Sequence, residues 1–223
     1  EVSRTGTTIG SQAFDWAGTG STHNDAEGLT YLGGGRLVVV DERPQRAYRF
    51  DYANGGVVTL ADAPFATISS YAPNNSGIEG ISFDPRHNGS FVSVKQAGPQ
   101  EVRSGSLSFA VGGGTPSPSV LFDASLLGLS SLSDVQVLSV VDGLAGSAAA
   151  DNLLILSADS FRLIESTRSG SVLSSLDLRD FTTQAIEGLT IDERGVIYLV
   201  AESSGASPSR LFVVSSPSPE PGT

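Results

Sequence analysis

Glu27-Gly28-Leu29-Thr30, Glu79-Gly80-Ile81-Ser82 and Glu187-Gly188-Leu189-Thr190 are three copies of one phrase, Glu-Gly-(Leu/Ile)-(Thr/Ser). The first two copies stand 52 positions apart and the last two 108, close to twice that step. A degenerate copy, Ser133-Asp134-Val135-Gln136, falls midway through the long gap, 54 positions from each neighbour. A repeat of this length with strand-like content marks a radial or stacked β-architecture.

Working outward from each phrase, the same grammar returns: an apolar inner segment, a turn, a second strand and then a third. In the first repeat these are residues 27–32, the turn Gly33-Gly34-Gly35, 36–42, 46–52 and 57–61. The β-branched run Leu37-Val38-Val39-Val40, bounded by glycine and by charge, predicts a buried strand. The second repeat predicts strands at 79–83 and 90–96 with a looser outer half over 101–123. The third predicts 134–140, an insertion over 141–151, and then 152–159, 161–167 and 172–178. The fourth predicts 187–191, 196–202 and 210–214. Residues 124–129 are the one short helical candidate. Three or four strands per unit at this period predict an all-β fold, a β-propeller. A solenoid uses shorter coils, and a sandwich does not repeat its inner-strand phrase. Segments 2–8 and 9–14 read as outer strands without an inner pair. Two arrangements fit them: a five-bladed parent with a truncated first blade, or a four-bladed ring closed by the N-terminal hairpin. The propeller is expected over residues 1–214, with a flexible Ser/Pro-rich tail over 215–223.

Composition narrows the partners. Among 223 residues there are 24 acidic side chains against 13 Lys and Arg, a formal charge of −11. Such a surface repels nucleic acid and anionic membranes and suits metal ions or cationic ligands. No apolar stretch reaches the ~20 residues that span a bilayer. There is no cysteine, which removes disulfides and thiolate chemistry. With no methionine and a start in strand-like sequence, the chain reads as part of a longer reading frame. A monomer is expected.

Several stretches resemble the SdiA-regulated (YjiK-like) family of bacterial β-propellers. They are Asp25-Ala-Glu-Gly-Leu-Thr-Tyr-Leu-Gly with Arg36-Leu-Val-Val-Val-Asp-Glu-Arg, and Gly77-Ile-Glu-Gly-Ile-Ser-Phe-Asp with Val94-Lys95. A third pair is Gln184-Ala-Ile-Glu-Gly-Leu-Thr-Ile-Asp with Ile197-Tyr-Leu-Val-Ala-Glu. Asn152-Leu-Leu-Ile-Leu-Ser-Ala-Asp and Gly170-Ser-Val-Leu-Ser-Ser-Leu-Asp-Leu match the third-repeat pattern. The resemblance covers nearly the whole chain and implies a five-bladed propeller and export, but no reaction. Pro219-Glu-Pro-Gly-Thr223 resembles the start of a PEP-CTERM sorting signal, which implies an extracytoplasmic protein.

Rotation about a propeller axis turns repeated residues into rings. Glu27, Glu79 and Glu187 form one expected ring and are the candidate metal ligands, with Ca²⁺ the expected ion because hard cations take oxygen ligands. The competing reading has each Glu accepting backbone N–H groups of the next blade, with glycine allowing close approach. A second expected ring lies where the second strands end: Glu42, Lys95 and Glu202, with Asp159 in the third repeat and Asp41 and Arg43 flanking Glu42. This set is the candidate ligand-binding ring, and Lys95 is an alternative built-in counter-ion. His23 and His87 read as surface loop residues, and Trp16 as packing a hairpin. No G-x-S-x-G elbow, P-loop, dinucleotide fingerprint or EF-hand loop is present. The expectation is an exported binding or interaction module with an acidic channel mouth, for a cation or a small-molecule, cationic or protein ligand. The alternative is a metal-dependent phosphoesterase or lactonase.

Overall fold

A computed structural model describes residues 1–70, 75–114, 118–205 and 207–215; the tail beyond 215, with the sorting-signal resemblance, lies outside them. It is an all-β propeller. Four antiparallel meanders succeed one another along the chain, each starting at the channel. The first is β2 (Ala26–Gly33), β3 (Arg36–Asp41), β4 (Arg46–Asp51) and β6 (Phe65–Thr67), with β1 (Ala13–Asp15) and β5 (Val57–Thr59) beside it. The second is β7 (Ile78–Asp84), β8 (Ser90–Lys95), β9 (Glu101–Gly105) and β10 (Ser119–Asp123). The third is β11 (Asp134–Val137), β12 (Leu153–Ser157), β13 (Arg162–Ser166) and β14 (Val172–Asp177). The fourth has three strands, β15 (Ile186–Ile191), β16 (Ile197–Ala201) and β17 (Arg210–Val214).

Four expectations change. Residues 57–61 do not continue the first blade: β5 pairs in parallel with β1, and β6 takes the fourth place on β4. The N-terminal stretch therefore contributes one short strand, and residues 2 and 8 meet only in a single bridge. The third inner strand stops at Val137, and 3-10 turns carry the chain through the insertion at Leu138–Val140, Asp142–Leu144 and Ala148–Asp151. The helical candidate is one 3-10 turn, Ala124–Leu127, with Asp123 accepting from the Ser125 N–H and Gly128 in the left-handed region closing it.

Apolar layers lie between successive blades. Val38, Val40 and Ala47 of the first blade pack with Ile78, Ile81 and Phe91 of the second. Val92, Val94 and Val102 pack with Val135, Val137 and Ile155 of the third, and Leu154, Leu156 and Leu163 with Leu189, Leu199 and Ala201 of the fourth. Trp16 packs edge-on to Phe14 and Tyr48, as a hairpin-packing side chain does. His87 is not simply a surface residue: Nδ1 lies 2.9 Å from Oδ2 of Asp84. That buried carboxylate also takes the Ser139 hydroxyl and the Arg168 guanidinium, which ties the second blade to the third.

The repeated phrase supplies the joints. Oγ1 of Thr30 accepts the Phe83 N–H at 2.9 Å, and Oγ of Ser82 accepts the Val137 N–H at 3.2 Å. Thr190 donates its hydroxyl to Oε1 of Gln136 at 3.2 Å. The fourth residue of the phrase is thus an inter-blade latch, which explains its restriction to Thr, Ser and Gln. β2 packs on β7, β7 on β11 and β11 on β15; among the described residues no comparable packing joins β15 to β2. Leu29 and Tyr31 are 59% and 60% exposed on one side of this seam, and Val200 and Val213 are exposed on the other. The N-terminal arm reaches across it, where Arg4 pairs with Asp192 at 2.8 Å and lies over the Tyr198 ring.

Candidate functional site

Antiparallel pairing sets the start of each inner strand beside the end of the second strand, so both predicted rings occupy one mouth of the channel. The register is Ala26 opposite Asp41, Ile78 opposite Lys95 and Ile186 opposite Ala201. Immediately after each pair the register shifts, between residues 26 and 29, 78 and 80, and 186 and 188. The repeated Glu therefore sits at a β-bulge, which re-aims a side chain out of the alternating pattern. The third blade, with Ser133-Asp134 in place of Glu-Gly, pairs from Asp134 to Val137 without a shift. Phrase and bulge come and go together.

The glycine of the phrase lets neighbouring inner strands touch. A Cβ on Gly28 would lie 3.0 Å from the Glu79 carbonyl oxygen, and one on Gly80 would lie 2.6 Å from Cα of Asp134. Close approach is thus shown, but hydrogen bonding by the repeated Glu is not. None of Glu27, Glu79 and Glu187 accepts a backbone N–H among the described residues. Asp134 does that work instead, taking the Leu189 N–H of the next blade at 2.8 Å.

The second ring is corrected by one residue. The Glu42 N–H bonds the Asp25 carbonyl, and the equivalent bonds run from Gln96 to Gly77 and from Glu202 to Ala185. Gln96, not Lys95, is the counterpart of Glu42 and Glu202. Lys95 corresponds to Asp41, and a one-residue shift reverses the face a strand residue presents. Its ammonium group donates to the carbonyls of Ala97 at 2.8 Å and Pro99 at 3.2 Å, so it is no counter-ion to the ring. Arg43 spends Nη1 on Asp25 and Nη2 on Oδ1 of Asn75, and so positions Asp25. Asp41 is buried, with the Ser21 hydroxyl 3.3 Å from Oδ1. Asp159 and Glu202 are exposed at the rim beside Glu187.

The carboxylates crowd one another. Desolvation, then the charges of Asp25, Glu42, Glu187 and Glu202, pushes Glu27 up to about 7. Burial, then Glu27 and Glu42, pushes Glu79 up to about 9. Burial raises Asp134 to about 8 against its two backbone N–H bonds. Glu187 is raised by burial, with Glu202 and Asp159 adding to it and the Ser133 hydroxyl opposing. Glu42 is raised by burial against the Gly77 N–H. Such groups hold protons or take a cation.

The tightest grouping is not the predicted ring. Asp25, Glu27 and Glu42 bring one oxygen each within 4.8 Å of one another; among the described residues no such group unites Glu27, Glu79 and Glu187. Asp25 lies outside the predicted set although it stands two residues before the first phrase. A cavity of about 650 Å³ opens beside Glu27 along the first blade, lined by Phe14, Leu29, Tyr31, Leu37 and Phe50.

Comparison with known proteins matches the family model described as SdiA-regulated over residues 3–214. Among solved structures, a protein of unknown function from Bacteroides caccae is 10% identical, with TM-score 0.46, covering 86% of this chain and 62% of its own. YCF48 from Cyanidioschyzon merolae is 9% identical, with TM-score 0.49 and coverages of 83% and 49%. The Myceliophteria thermophila Cps50 (Swd1) β-propeller domain is 13% identical, with TM-score 0.42 and coverages of 84% and 57%. The chain spans between about half and three-fifths of the length of these structures.

Proposed function

The chain belongs to the SdiA-regulated family, and from that premise we propose that it is a binding module whose acidic channel mouth receives a cation or the cationic group of a partner. One observation carries this reading: Glu27, Glu42, Glu79 and Glu187 converge on one mouth where burial raises the pKa of each, the charges of Glu42 and Glu187 raise Glu27 and Glu79 further, and among the described residues no Lys or Arg pairs with any of the four. A mouth built this way gains from any positive group that replaces the protons. The repeated Glu also has no backbone bond among the described residues to explain its recurrence, whereas glycine and the Thr/Ser hydroxyl do.

Thermal unfolding at pH 8 after chelation, with Ca²⁺, Mg²⁺, Mn²⁺, Zn²⁺ or spermidine added back, tests the reading. A ligand at one hundred times its dissociation constant stabilises a fold by ~2.7 kcal/mol, an upward shift in midpoint of several degrees. At least one of these cations is expected to give that shift at sub-millimolar concentration. Midpoints that follow ionic strength alone, identical for all five, would sink it.

A further inference from the structure

The carboxylates of the mouth are unequal, and the inequality points to one place. Glu42 is 0% exposed and spends Oε1 on the Gly77 N–H at 2.9 Å; its other oxygen, Oε2, is sealed from solvent with no hydrogen-bond partner among the described residues. Glu79 is 8% exposed, and its Oε1 is likewise buried and unpartnered. The two carboxyl groups lie against each other at the junction of the first and second blades. Burying two carboxylate oxygens without a donor costs far more than a fold gains from packing them. Among the described residues the partners open to these oxygens are the neighbouring carboxyl groups themselves, through protons held between them, and a cation from outside the chain replaces those protons.

The neighbours show what kind. Asp25 and Glu27 bring oxygens to Glu42 within 4.8 Å, the spread found among oxygens around one ion at ~2.3–2.6 Å from each. All the side chains concerned offer oxygen only, and there is no histidine or cysteine among them, which suits a hard cation and not zinc. Gly77 is required for the seating of Glu42, since a Cβ there would lie 2.1 Å from the Glu42 carbonyl oxygen. Arg43 fixes Asp25 from outside. Glu27, exposed, forms the way in, and Glu187 stands apart with Ser133 as its partner.

We propose that a hard divalent cation of the Ca²⁺ class binds off the channel axis, at the junction of the first two blades, held by Asp25, Glu27, Glu42 and Glu79. The site rests on the reading of the mouth as a cation receptor and narrows it to four side chains. It differs from a ring site on the axis, where Glu27, Glu79 and Glu187 would be equivalent. It also accounts for the seating of Glu42, which an axial ring does not use.

Calorimetric titration of the chelated protein with CaCl₂ tests this, on the wild type and on Glu42→Gln, Glu79→Gln and Glu187→Gln, each first shown to be folded by circular dichroism. Gln keeps the shape and removes one charge. Glu42→Gln and Glu79→Gln are expected to weaken Ca²⁺ at least tenfold, and Glu187→Gln less than threefold. Equal losses in all three variants, or a loss only in Glu187→Gln, would overturn the off-axis site while leaving the mouth a cation receptor. Spermidine binding without any Ca²⁺ heat in the wild type would do the same. If neither cation binds the wild type, both readings fall. Should Glu42→Gln not fold, Asp25→Asn replaces it with the same expectation.

Discussion

Gly80→Ala is expected to cost the fold about 3 kcal/mol, at the upper end of what overpacking does, whereas Gly188→Ala costs under about 0.5 kcal/mol. The two glycines occupy the same place in the phrase. Neither has a backbone conformation that excludes alanine, so the difference lies wholly in what the added methyl meets. At Gly80 it would lie 2.4 Å from Oδ1 and 2.6 Å from Cα of Asp134, and 3.0 Å from the Val135 nitrogen. Two of these atoms are backbone of the next inner strand, so relief requires the second and third blades to separate. Separation stretches the bonds that the Val137 N–H and the Gln136 side-chain amide donate to Oγ of Ser82. At Gly188 the nearest atom is Cβ of Val200 at 3.5 Å, an ordinary contact on the open seam. Urea unfolding of the two variants measures both values. Similar losses would mean that the seam beside the fourth blade is as tightly packed as the closed joints.

Stability of the metal-free protein is expected to fall as pH rises from about 5 to 9, and Glu79→Gln is expected to remove much of that fall. Glu79 titrates near 4.5 in the unfolded chain and near 9 in the fold. Between those values the folded state holds a proton that the unfolded state has released, so raising pH favours unfolding. The stabilisation is complete below about 4.5 and is lost as pH passes through about 9. Asp134 and Glu27, raised to about 8 and about 7, act in the same direction within narrower windows. A carboxyl group whose pKa differs by one between the folded and unfolded chain changes stability by ~1.4 kcal/mol, so the Glu79 contribution is on the order of a few kcal/mol even after screening by water in the mouth. Gln cannot ionise. The variant is therefore expected to be the more stable protein at pH 9 and to have a flatter profile, at the cost of cation affinity. Chemical unfolding from pH 5 to 9 in chelator decides it. Parallel profiles for the two proteins would contradict a buried, protonated Glu79.

Much of the architecture was legible in the phrase, because a propeller repeats its inner strand and an inner strand must meet its neighbours in the same way each time. The period placed β2, β7, β11 and β15 to within one or two residues of where they begin. Pairing between distant segments was not legible. Val57-Val58 after Asn54-Gly55-Gly56 has the local signs of a hairpin strand, yet β1, more than forty positions away, competes for it in parallel. The short Phe65–Thr67 then takes the blade's outer edge. The acidic mouth was legible as two rings, but the second was read from a near-constant chain spacing, and the second blade's hairpin is longer: the counterpart of Glu42 and Glu202 follows Glu79 by 17 positions, where theirs follow Glu27 and Glu187 by 15. That difference exchanges Lys95 for Gln96 as the counterpart of Glu42 and turns the lysine onto the carbonyls of Ala97 and Pro99. Asp25 was missed for a different reason. Nothing repeats it, since Gly77 and Ala185 hold its place in the other blades. A site built at one junction breaks the symmetry that made the rest readable.

Anomalous diffraction from crystals of the protein soaked in Mn²⁺ locates the bound ion independently of any variant. Mn²⁺ is a hard, oxygen-seeking substitute for Ca²⁺. The expected result is one strong peak between the carboxylates of Asp25, Glu27, Glu42 and Glu79, at ordinary metal–oxygen distances from at least three of them. A peak on the channel axis, shared equally by Glu27, Glu79 and Glu187, would contradict the account, as would an empty mouth at saturating Mn²⁺.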